Sequence, residues 1–252
     1  MSRVFYFFIN MIQEINSYTK EDKWVWKTLF ERQLDNIPNK ASNTYIEALK
    51  NMKEVLNASE IPDFNNIDKW FKSKTSWSLE VVPGLIEVED FFKLLAKKKF
   101  CSSTWLRNKN SLDYLEEPDM FHDIFGHVPL LSNPVFSTFM QEFASLGCQF
   151  IHDPEKTKQL QRLYWFTIEF GVINENGRIK SYGAGILSSF GETNQIAEKK
   201  ANFHPFNMNE ILNREFRTDI MQDDYFVIES FEQLFESLQD LKQLWLEDLK
   251  PV

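Results

Sequence analysis

One carboxylate constrains this chain more than any other residue. The run Leu163-Tyr164-Trp165-Phe166-Thr167-Ile168-Glu169-Phe170-Gly171-Val172-Ile173 is apolar enough to be buried, and Glu169 is its only charged residue. Burying a lone carboxylate costs several kcal/mol unless it is paired or neutralised. On a helix its one-turn neighbours would be Trp165, Phe166, Val172 and Ile173, none of them cationic. Arg162 lies seven residues back, roughly 10 Å along a helix axis. The fold must therefore bring a cation from elsewhere, either a metal or a distant basic side chain, or keep the carboxyl protonated.

A metal has candidate partners upstream. In Glu117-Pro118-Asp119-Met120-Phe121-His122-Asp123-Ile124-Phe125-Gly126-His127-Val128-Pro129, two of the chain's four histidines stand five residues apart. Two such histidines alone are more often buried core residues than ligands. The spacing excludes the zinc-hydrolase pattern, which places them four apart with Glu after the first. Five residues span about 140° of a regular α-helix, so a shared metal needs a widened turn or a helix end. Gly126 and Pro129 make such an irregularity plausible. Two imidazoles and one carboxylate form the facial triad of non-haem Fe(II) oxygenases. Catalytic zinc sites use the same ligand types, so the triad alone leaves the metal open.

Helical periodicity dominates the rest. Thr19 to Asp22 resembles a capping box ahead of Val25, Trp26, Leu29, Phe30 and Leu34. Further helices are predicted from Tyr45 to Leu56, Phe64 to Phe71, Glu89 to Lys98, Pro134 to Gly147 and Leu160 to Gly171. A last one carries Leu234, Phe235, Leu238, Leu241, Trp245 and Leu249. Strands are expected only around Trp77 to Val81, before Pro83-Gly84, and from Arg178 to Tyr182, after Asn176-Gly177. Five of the eight glycines fall between Gly171 and Gly191, which suggests either close backbone approach or a pair of ordinary turns. The expected class is mostly α with a small β component (α+β).

With 252 residues, 43% hydrophobic and 24 of them Phe, the chain has material for one large core. We read one domain over 18–252 and an N-terminal extension over 1–17, with disorder as one outcome. Val4 to Ile12 weakly imitates a signal peptide, but no small-residue cleavage site follows; Met11 offers an alternative start. A net charge of −9 argues against nucleic-acid and anionic-membrane partners, and no stretch approaches a membrane span. Cys101 and Cys148 form no disulfide framework, and a cytoplasmic location is expected.

In four ordered stretches the chain resembles the pterin-dependent aromatic amino acid hydroxylases. These are Val82-Pro83-Gly84-Leu85-Ile86, the Glu117 to Leu131 run, Tyr164 to Gly171, and Tyr182-Gly183-Ala184-Gly185-Ile186-Leu187-Ser188-Ser189-Phe190-Gly191-Glu192. The resemblance extends from about Tyr18 to Phe231 and is to the compact bacterial type, which implies a monomer.

The resemblance implies Fe(II) held by His122, His127 and Glu169, with a tetrahydropterin (tetrahydrobiopterin or a relative) as cofactor and O2 as co-substrate. One oxygen atom would go to the pterin and the other to the aromatic ring of a small-molecule amino-acid substrate. Arg107 would clamp the substrate carboxylate with its planar guanidinium; on its own it reads as a surface residue in a polar loop. Asp119 would brace the substrate and the metal ligands, Gly185 and Ser188 would lie near the substrate, and Trp165 would line its ring pocket. Phe91 would stack on the pterin, with Gly84, Leu85, Ile86, Asp123 and Tyr164 also in contact; Asp123 stands where animal members have Glu. Trp165 and Tyr182 match the phenylalanine and tyrosine enzymes, whereas tryptophan enzymes tend to have Phe at both positions. Phenylalanine is thus the expected substrate, with tryptophan or tyrosine as alternatives. A metal-dependent hydrolase and a non-catalytic amino-acid-binding protein are the competing classes.

Overall fold

The computed structural model describes residues 11–113, 115 and 117–247. The Thr19 side chain accepts from Asp22 N, and the Asp22 carboxylate accepts from Thr19 N at 2.7 Å. This reciprocal box opens α1 (Lys20–Asn36), whose apolar stripe is buried except for Leu34. Ser42 caps α2 (Asn43–Asn51) and Asp63 caps α3 (Phe64–Lys72). Helix α2 stops short of the predicted stripe, and turns carry Met52 and Leu56 into the core instead.

β1 (Ser78–Val81), α4 (Val88–Ala96) and β2 (Lys99–Ser102) form a parallel strand pair with a helical crossover. Asn133 caps α5 (Pro134–Phe150), with Pro134 in its first turn where no N–H is missed. Gly147 does not end this helix as expected. A Cβ there would lie 2.6 Å from the Phe92 ring, so the glycine lets α4 press against α5. Asp153 and Pro154 open α6 (Pro154–Leu163) in the same way, six residues before the predicted start.

Asn176 and Gly177, both at positive φ, turn β3 (Val172–Glu175) back into β4 (Arg178–Ser181). After α7 (Ala184–Leu187) and α8 (Phe190–Ala197) come β5 (Asn202–Pro205), α9 (Met208–Asn213), β6 (Asp224–Ile228) and α10 (Phe231–Glu247). The sheet order is β4-β3-β6-β5, with only β3–β4 antiparallel. The architecture is thus mostly α with a small β part, and β2, β3, β5 and β6 are strands that the periodicity reading lacks.

The stripe of α10 is core: Leu234, Leu238, Leu241 and Trp245 are buried, and Trp245 meets Phe150 of α5 edge-on at 5.1 Å. Leu249, like residues 1–10, lies outside the described residues. Within 11–17, Gln13 donates to Pro62 O at 2.9 Å and accepts from Phe64 N at 3.0 Å. No helix among the described residues is long and apolar enough to cross a membrane.

Candidate active site

The five-residue spacing is resolved by the backbone. His122–His127 form a π-helical turn, whose i→i+5 pattern puts both imidazoles on one face. Phe121 and Phe125, stacked at 4.9 Å, anchor the opposite face in the core. A second π turn, Tyr164–Glu169, continues α6. There the Tyr164 hydroxyl bonds to Glu169, again five residues on.

The three expected ligands meet. Glu169 Oε1 lies 3.0 Å from His127 Nε2 and Oε2 lies 3.5 Å from His122 Nε2, while the two Nε2 atoms are 3.2 Å apart. Among the described residues they are the one group of three His, Cys, Asp or Glu side chains close enough to share an ion. No Lys or Arg pairs with Glu169 among the described residues, so the distant-cation alternative falls away.

The hydrogen bonds assign the His122 tautomer. Ser188 Oγ has one proton and donates it to Ala184 O at 2.8 Å. It must then accept from His122 Nδ1 at 2.9 Å, which leaves the Nε2 lone pair aimed at the common point. Burial pulls the His122 imidazole down to about 4, so the ring is neutral at neutral pH, the form that ligates. Burial alone would raise the Glu169 carboxyl, but the facing His127 and His122 and the bonds from His127 and Tyr164 outweigh it and hold it at about 2. One ionised carboxylate and a free imidazole lone pair converging on one buried point fit a divalent cation, so the donor set suits iron.

Arg107 is buried, not a surface residue, with 8% of its surface exposed. Its Nε and Nη2 each bond Asp119 at 2.8 Å, a two-pronged ion pair. Asp119 has no exposed surface; it also accepts from the backbone N–H of Arg107 at 3.0 Å and of His122 at 3.1 Å. Whatever Asp119 does for a substrate passes through Arg107 and the His122 backbone.

Beside the histidines opens a cavity of about 290 Å³. Its wall carries Gly84, Leu85, Ile86, Phe91, Asp123 and Tyr164, all six residues expected at a pterin, and also Trp165. Arg107, Asp119, Gly185 and Ser188 are not on this wall. Sequence reasoning missed Phe100, whose ring is 4.9 Å from His127, and Phe216, which lines the cavity beside Trp165. Neither carries a local signal, because a lone Phe reads as core.

Burial pushes the Asp123 carboxyl up to about 7 against the bond it accepts from Ser103 N at 2.9 Å. A carboxyl raised on folding contributes stability below its ordinary value and loses it as pH rises through 7. Asp123→Asn removes that loss. In urea unfolding of the metal-free protein, the variant should gain on the wild type by about 4 kcal/mol between about pH 4 and pH 8. A pH-independent difference would mean that the carboxyl ionises freely.

The glycine cluster proves to be mostly close approach. A Cβ on Gly183 would lie 2.3 Å from Gly171 N and 2.4 Å from Glu169 O, both rigid backbone atoms. Gly183→Ala should therefore displace Glu169, costing about 1–3 kcal/mol of stability and weakening Fe(II) binding. Wild-type melting and iron titration curves for this variant would refute the contact. Gly177 is the ordinary turn, with φ +78° and open space around it.

A family model described as biopterin-dependent aromatic amino acid hydroxylase matches residues 4–248. Phenylalanine-4-hydroxylase of Chromobacterium violaceum is 40% identical over 237 residues, which cover 93% of this chain and 79% of that one. The crystal structure of that organism's enzyme with iron(III) and oxidised 7,8-dihydrobiopterin superposes with a TM-score of 0.87, covering 96% of this chain and 88% of that one at 40% identity. Its iron- and phenylalanine-bound structure gives a TM-score of 0.85 at 38% identity, with the same coverage.

Proposed function

The chain belongs to the biopterin-dependent aromatic amino acid hydroxylases, and from that premise we propose that it is a phenylalanine 4-monooxygenase, converting L-phenylalanine to L-tyrosine with O2 and a tetrahydropterin. The single observation that carries this reading is the convergence of His122, His127 and Glu169 on the edge of a cavity lined by Phe91, Asp123, Tyr164 and Trp165.

In this reading His122 Nε2, His127 Nε2 and one Glu169 carboxylate oxygen hold Fe(II). Iron bound there would activate O2 without being consumed, with two electrons coming from the reduced pterin and two from the substrate ring, so that one oxygen atom would go to the pterin and the other to the ring. The chain's residues bind, orient and exclude water. Ser188 keeps His122 in the ligating tautomer, and Tyr164 steadies the Glu169 carboxylate. Asp119 presents the Arg107 guanidinium, whose remaining N–H groups take the substrate carboxylate. Gly185 and Ser188 sit close to the substrate. Phe91 offers its face to the pterin, with Gly84, Leu85, Ile86 and Asp123 around it. Trp165 meets the substrate ring.

The assay is oxygen consumption with each of the three aromatic amino acids, with and without tetrahydropterin. Phenylalanine should be the preferred substrate, with tyrosine formed only when pterin and O2 are both present. Tyrosine formed at full rate without pterin, or faster turnover of tryptophan, would overturn the assignment. Zinc-supported ester or peptide cleavage without O2 uptake would revive a hydrolase. Two free cysteines, one of them buried, support a reducing cytoplasmic setting, and the similarity to the bacterial enzymes is the ground for expecting a monomer. Sedimentation would test the latter.

A further inference from the structure

The segment between α9 and β6, residues 214–223, has neither helix nor strand, yet it is tied down at both ends. At one end Arg162, buried on α6, pairs with Glu215, and Lys158 reaches the same carboxylate at 3.1 Å. At the other end every polar group of Gln222 that the structure pairs is held from the core. Its backbone N–H donates to Glu192 at 3.2 Å, its carbonyl accepts from Gln195 at 2.6 Å, and its side-chain oxygen accepts from Trp165 Nε1 at 2.7 Å. Glu192 is fixed in turn by the Tyr225 hydroxyl at 2.6 Å. Between the ties Phe216 stacks on Trp165, with centroids 4.5 Å apart and planes 16° from parallel, and Phe170 lies against the same indole at 4.5 Å. Both Trp165 and Phe216 line the cavity.

An indole has a single N–H, so one acceptor fixes its rotation, and a ring stacked on its face fixes its depth. Resting on the reading of Trp165 as the wall that meets the substrate ring, we propose that Gln222 is a positioning residue and Phe216 a specificity-determining one. Together they hold the Trp165 indole and so set the size of the aromatic side chain admitted. The segment is irregular, with Ile220 and Met221 exposed, and the determinant is a tertiary tie and a stack, neither of them local in sequence.

The test compares binding and turnover of L-phenylalanine and L-tryptophan by the iron- and pterin-loaded protein. Phe216→Ala opens the wall and should raise the tryptophan-to-phenylalanine ratio of kcat/KM about tenfold, mainly through KM. Phe216→Leu, which keeps apolar cover, should move it in the same direction by less. Gln222→Leu should shift the ratio in the Trp165 protein and leave it unmoved in a Trp165→Phe background, where there is no N–H to hold. An equal shift in both backgrounds, or an unchanged ratio in both Phe216 variants, overturns the proposal. On the substrate-free protein, the Trp165 indole proton should exchange slowly with solvent and become fast in Gln222→Leu; fast exchange in the wild type would also overturn it. Turnover of phenylalanine by the wild type tests the functional reading by itself, so the two failures are distinguishable.

Discussion

Glu169→Gln should lose Fe(II) affinity by roughly 10²- to 10³-fold and abolish coupled hydroxylation. The amide is nearly the size of the carboxylate, so packing against Tyr164 and the π turn is preserved while the charge is lost. Glu169 is the carboxylate that pairs with both the His122 and His127 imidazoles among the described residues, and it is held ionised at about 2. A buried cation deprived of its anionic partner forfeits about 3–5 kcal/mol, and the lower part of that range, about 3–4 kcal/mol, corresponds to the fold-change stated. The metal-free fold should behave differently. The contacts with His127, His122 and Tyr164 outweigh the desolvation cost of that carboxylate, so metal-free Glu169→Gln should melt below the wild type near neutral pH, by an amount that shrinks as pH falls from about 4.5 toward 2. What should disappear is the rise in melting temperature on adding Fe(II). Unchanged iron content and rate would remove Glu169 from the ligand set, whereas a collapsed metal-free protein would make its role structural.

The second large effect is expected at Asp119. All four acceptor positions of this carboxylate are used, two by the Arg107 guanidinium and two by backbone N–H groups. Asp119→Asn replaces one acceptor oxygen by a donor facing donors and leaves the buried Arg107 charge without an anion. Breaking a buried pair from one side costs about 3–5 kcal/mol, or roughly 6–20 °C of melting temperature for a chain of this size. Because Asp119 also fixes the His122 N–H, iron affinity should fall with stability. Arg107→Lys tests the same pair from the other end. It retains the charge but not the fork, so it should chiefly raise KM for phenylalanine while kcat changes less. An unmoved KM would remove Arg107 from the substrate clamp, and a thermally unaffected Asp119→Asn would contradict the buried pair.

How much of this was legible in the sequence depends on whether the signal is local. Capping is local, so Thr19-Asp22 located the start of α1. The spacing of His122 and His127 is local too: a shared ion required a widened turn, and a π turn is what the chain adopts. The solitude of Glu169 demanded a distant partner, and the partner is the imidazole pair. Helix ends were less legible. Gly147 reads as a terminator, but its neighbour across space is the Phe92 ring, which no window of α5 reveals. Strand β6, Asp224 to Ile228, is largely buried, so its apolar run shows no alternation to separate it from helix. β5 is a four-residue edge strand in which Phe203 is flanked by Asn202, His204 and Pro205, too short and too polar a run to read as a strand. Arg107 looked exposed because its partner is twelve residues away, and Phe216 looked unremarkable because Trp165 is further still.

The most direct measurement is anomalous diffraction at the iron edge from crystals of the Fe(II)-loaded protein. One peak is expected, about 2 Å from His122 Nε2, His127 Nε2 and a Glu169 carboxylate oxygen together. A peak bound elsewhere, or none within reach of all three side chains, would contradict the account.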